Sequence, residues 1–129
     1  MKKFIVERST EVKTVFSDCT GGLALSATGL LDGLEATTNH FFIGSVAEEI
    51  GPKVRWNKQK NWVASGNGKY WTAAGAVTGM DMMGQWIRET FEKGQELLDL
   101  STLTLEWRPR NVDGMVMRYV NGRNETVEV

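Results

Sequence analysis

Apolar positions fall in short β-type runs separated by turn residues, with two stretches at helical spacing between them. Residues 12–16 (Val12, Lys13, Thr14, Val15, Phe16) are mostly β-branched or aromatic and suit a strand. After Ser17 to Gly22, the residues Leu23, Ala27, Leu30 and Leu31 recur at helical spacing, and the pair Asp32-Gly33 predicts the stop. Residues 34–38 predict a second short strand. Phe41, Phe42, Val46, Ala47 and Ile50 predict a helix closed by Gly51 as a left-handed cap, with Pro52 as a stop. Residues 54–56, 62–64 and 70–74 read as strands, the last two joined by a turn at Ser65, Gly66, Asn67 and Gly68. Met80, Met83, Trp86, Ile87 and Phe91 form one stripe, which makes residues 80–91 the best amphipathic helix in the chain. A shorter helix follows over residues 95–100. Edge strands are expected from residues 103–107 and 115–120, before a polar end.

Strands alternating with helices predict an α/β layered architecture, with a small antiparallel piece around the tryptophan-rich hairpin. The 129 residues suit one domain, and 41% apolar content is enough for a core. Lysine and arginine total 15 against 16 acidic residues, so no net field directs the chain to nucleic acid or anionic lipid. The apolar stretches fall short of a membrane span, and the lysines at 2 and 3 precede no apolar signal region. A cytoplasmic protein without nucleic-acid or membrane partners is expected.

One cysteine excludes an internal disulfide and a multi-cysteine metal site. Cys19 stands where a strand should turn sharply into a helix, a joint that lifts a side chain into the crevice at the strand ends. Gly21 and Gly22 permit the tight turn, and the helix start offers free amides that favour a thiolate. The Thr20 and Gly21 amides are the candidate oxyanion donors, a contribution of about 3 kcal/mol per donor in characterised enzymes. The alternative is a small buried hydrophobe. His40, the only histidine, is a candidate base for Cys19 or a surface residue at a helix start. Asp81 reads as an acid held by the dipole at a helix opening. Met80, Met82 and Met83 read as core and interface packing; Trp56, Trp62 and Trp71 read as core or as a pocket floor. No metal, cofactor or phosphate-loop pattern is present in the sequence.

Three groups of residues carry a family resemblance. They are Ser17-Asp18-Cys19-Thr20-Gly21-Gly22, Ala27-Thr28-Gly29-Leu30-Leu31-Asp32-Gly33, and Ala36-Thr37-Thr38. With Gly66-Asn67, Trp71-Thr72-Ala73-Ala74-Gly75 and Thr78-Gly79-Met80-Asp81, this order resembles the ThiJ/PfpI family over about residues 4–92, nearest its isocyanide hydratase branch. The resemblance implies a flavodoxin-like layered sheet with flanking helices, in a superfamily shared with class I glutamine amidotransferases. It implies Cys19 as nucleophile, in a family of hydratases, glyoxalase-like lyases, deglycase-type hydrolases, peptidases and redox sensors; no cofactor and a small-molecule substrate are expected of this chain. Homodimers are usual there, and the resemblance offers Asp81 a dimer or site role in place of the dipole reading.

The chain departs from that pattern at three places. It starts almost at the elbow strand, so the N-terminal part of the family fold, with the acid that hydrogen-bonds the nucleophile and a glycine-rich loop, is expected to be absent. Asn39 then His40 follow Thr38, where the family branch has histidine directly, and a one-residue shift changes faces. Asp18 puts a carboxylate beside the thiol, which opposes ionisation. The expectation is therefore a single partial domain and a homo-oligomer, or a partner chain that supplies the missing half. Its function is open between a cysteine-dependent hydratase or hydrolase, an incomplete structural or binding subunit, and a thiol redox sensor.

Overall fold

The first strand begins only at Val15, because the residues before it are drawn into a helix and the turns that follow. In the computed structural model, which describes residues 1–120 and 123–126, the chain runs Lys2–Ser9 (α1), Val15–Asp18 (β1) and Gly21–Ser26 (α2). Glu35–Ala36 (β2), a 3-10 turn at His40–Phe42, Val46–Ile50 (α3) and Arg55–Trp56 (β3) follow. Then come Trp62–Ser65 (β4), Tyr70–Ala73 (β5), Ala76–Thr90 (α4), Gly94–Thr104 (α5), Met117–Val120 (β6) and Arg123–Thr126 (β7). The fold is mixed α/β, a small mixed sheet with flanking helices. Among the described residues no helix is long and apolar enough to cross a membrane.

β5 is the central strand of the sheet, between β1 and β4. It runs parallel to β1, with Val15 opposite Tyr70 and Asp18 opposite Ala73, and antiparallel to β4. The β4–β5 hairpin closes through Gly66, Asn67 and Gly68, all at positive φ (59°, 54° and 80°). Glycine reaches that region without steric cost and asparagine at little, which is why this segment is a turn. β2 and β3 form a separate parallel pair with Glu35 opposite Arg55, and parallel pairing demands the long connection that α3 fills. Threonine hydroxyls join the two pieces of sheet. The Thr37 N–H donates to Thr72 Oγ1 (2.9 Å), and Thr37 Oγ1 donates to the Asn57 carbonyl (2.6 Å).

Leu25, Leu31, Ala36 and Val54 form the centre of the first core, with Ile5, Val15, Leu30, Trp56 and Tyr70 around it. Ile5 explains the unexpected α1: its side chain joins this core, while Phe4 and Val6 stay exposed. The second predicted helix is shorter than its apolar spacing suggests. α2 ends at Ser26, where Ser26 Oγ and Thr28 Oγ1 take the carbonyls of Leu23 and Leu25 (2.9 and 2.6 Å) and Gly29 turns left-handed. Leu31 is buried nonetheless, from a turn. Gly51 is not the left-handed cap its position suggested, since its φ is −125°. Close approach is what demands glycine: a Cβ there would lie 2.9 Å from Ser26 Cβ and 3.1 Å from Trp56 Cζ2. The Trp56 indole N–H lies 3.1 Å from both the Ala47 and the Gly51 carbonyls at the end of α3.

The chain packs as two compact units that divide inside α4, one through Gly79 and the other from Met80. The second unit departs most from expectation. α4 starts at Ala76, so Asp81 is not at its opening, and α5 runs on through Thr104 where an edge strand was expected. Met82 is buried while Met80, Met83 and Phe91 are exposed, so the apolar stripe is not the buried face. The buried positions include Asp81 and Gly84; a Cβ on Gly84 would stand 2.7 Å from the Trp107 ring and 3.0 Å from Leu98. β6 and β7 pair antiparallel, Met117 opposite Thr126. Of the polar end, residues 121–122 and 127–129 lie outside the described residues.

Asp81 organises this unit. Its side chain is 0% exposed, and it accepts from the Trp107 indole (3.2 Å), the Arg110 backbone N–H (3.2 Å) and Arg110 Nε (2.8 Å). Arg110 keeps 31% of its side-chain exposure, so it loses only part of its hydration. Asp81→Ala strands that guanidinium and both N–H donors. We expect a loss of about 3 kcal/mol, the low end for breaking a buried pair, because Arg110 is partly solvated. A shift in the urea midpoint measures it, and an unchanged midpoint contradicts the assigned role.

Candidate functional site

Cys19 is the hinge between β1 and α2, and its backbone is left-handed (φ +52°). That conformation is uncommon for a residue with a Cβ and costs roughly 1–2 kcal/mol. The surroundings hold it from both ends. The Cys19 N–H donates to the Ala73 carbonyl (3.0 Å), extending the β1–β5 ladder one residue past the strand. The Cys19 carbonyl accepts from Thr38 Oγ1 (2.8 Å) and from the Gly22 N–H (3.4 Å). The two glycines after it have different roles. A Cβ on Gly22 would lie 2.8 Å from the Thr37 carbonyl oxygen and 3.0 Å from Thr38, so α2 meets this segment only through glycine. At Gly21 the nearest atom would be Ser17 Cβ at 3.8 Å, an ordinary contact. Neither glycine has a positive φ; the turn puts that demand on the cysteine itself.

Cys19 is half-buried, and the hydrogen-bond partner of its sulfur is Asn39. Asn39 Oδ1 accepts from the Phe41 N–H (3.1 Å), which orients the amide so that Nδ2 lies 3.5 Å from Cys19 Sγ. Thr20 is exposed and precedes α2, and its carbonyl accepts from Leu23 and Ala24 (3.0 and 3.5 Å). The Thr20 and Gly21 N–H groups lie ahead of these donors, where a helix start leaves amides without intrahelical partners.

His40 bonds to another part of the chain. Its Nε2 lies 3.0 Å from the Lys60 carbonyl, and a carbonyl only accepts, so the proton is on Nε2. The residue beside the sulfur is Asn39, one position earlier. Sequence reasoning noted Asn39 only as a departure from a pattern and gave it no role; its capping of Phe41 was the available signal. Asp18 sends its carboxylate toward α4. A Cβ on Gly79 would lie 3.0 Å from Asp18 Cγ, so the missing side chain leaves room for the acid on the early turns of that helix, where negative charge is favoured. Trp62 and Trp71 are buried in the sheet, and the Trp71 indole N–H holds the Gly68 carbonyl in the hairpin turn (3.1 Å).

The close contact at position 22 gives a paired test. Gly22→Ala forces a methyl against a backbone carbonyl and is expected to cost about 2 kcal/mol, as overpacking does. Gly21→Ala is expected to change stability by less than about 0.5 kcal/mol. Urea denaturation of the two variants measures both, and equal midpoints contradict the assigned packing.

No family model matches the chain, and no curated protein matches it.

Proposed function

We propose that the chain is a cysteine-dependent protein of the hydratase or hydrolase kind, with Cys19 as nucleophile and a small molecule bearing an electrophilic carbon as substrate. The observation that supports this most is the half-buried, left-handed Cys19 at a strand-to-helix turn, with its sulfur facing an oriented amide. The thiolate forms a carbon–sulfur bond, and the displaced electron pair of the C=O or C=N group collects on its heteroatom. The Thr20 and Gly21 amides hold that charge until the double bond re-forms and expels the leaving group, which takes a proton from water; where there is no leaving group, the heteroatom itself takes that proton. Water then adds at the sulfur-bearing carbon and the carbon–sulfur bond breaks, its electron pair leaving as the Cys19 thiolate. The resemblance to the ThiJ/PfpI family supports the same reading. On it, β1 and β5 belong to a flavodoxin-like layered sheet, and the acid that hydrogen-bonds the nucleophile in that family comes from another segment or chain.

Iodoacetamide tests the nucleophile directly. In the folded protein we expect stoichiometric alkylation of Cys19, the thiolate being the attacking form. Asn39→Leu removes the amide that meets the sulfur and is expected to change the alkylation rate severalfold. A Cys19 that is alkylated only after unfolding in urea overturns the proposal.

A second reading is favoured by the side chain at the sulfur being Asn39, an amide that cannot take the thiol proton. On this reading the chain is an incomplete binding or structural subunit, or a thiol sensor whose Cys19 cycles through sulfenic acid. Peroxide titration followed by mass spectrometry separates these two: oxidation by one oxygen, reversed by dithiothreitol, is expected of the sensor, and an unmodified Cys19 removes it. The family resemblance also carries a homo-oligomer, or a complex with a partner chain that completes the fold. Sedimentation velocity is expected to give a dimer or larger, and a well-folded monomer at micromolar concentration contradicts it.

A further inference from the structure

We draw no further inference here: the strongest candidate, the row of exposed leucines on α5 formed by Leu97, Leu100 and Leu103, is an unpartnered apolar face, and nothing in the structure shows what covers it.

Discussion

The left-handed backbone of Cys19 is the constraint around which the first unit is arranged. A conformation that costs roughly 1–2 kcal/mol persists only where neighbouring contacts over-determine it. Here they come from three separate parts of the chain. Ala73 at the end of β5 takes the amide, Thr38 beyond β2 takes the carbonyl, and Gly22 lets α2 close over the joint. Remove any one and the remaining two fix only part of the turn. The position of the sulfur is thus a property of the whole sheet rather than of a loop.

Side-chain hydroxyls and indoles do much of the joining that a longer sheet would leave to its ladder. β2 and β3 are two residues each, too short to register against the main sheet by themselves. Thr37, Thr38 and Thr72, all fully buried, make up the difference, each with a separate carbonyl or amide to serve. Burying a hydroxyl is tolerable only when it is bonded, and these are. The hydroxyls of Ser17 and Ser65 are exceptions, buried without a hydrogen-bond partner. In the second unit the same economy appears with higher stakes, where one carboxylate gathers three donors.

Much of the fold could be read from local pattern. The hairpin turn at 66–68, the strands at 62–65 and 70–73, and the strand–cysteine–helix joint all rest on neighbours in sequence, and each is present. What escaped depends on distant partners. Asp81 looked like a helix-opening acid because nothing within one turn of it reveals Arg110 and Trp107, which lie 29 and 26 residues away. The face that α4 buries was not readable for the same reason: periodicity marks the apolar stripe but not the neighbour that chooses which side to bury. The candidate site was half readable. Cys19 and its turn were, and the side chain that meets the sulfur was not, because the chain around Asn39 leaves the strand and enters a 3-10 turn, where alternation no longer tells which way a residue faces.

The reach of the β1–β5 pairing has a consequence for biosynthesis. Cys19 leaves the ribosome well before Ala73, whose carbonyl completes the turn. Until then no parallel strand exists for β1 to join, and closing so distant a contact comes late because its loop entropy is met before any pairing rewards it. Until Ala73 emerges the thiol therefore sits on a segment without its partner strand, and whatever character the fold confers on it arrives together with the hairpin.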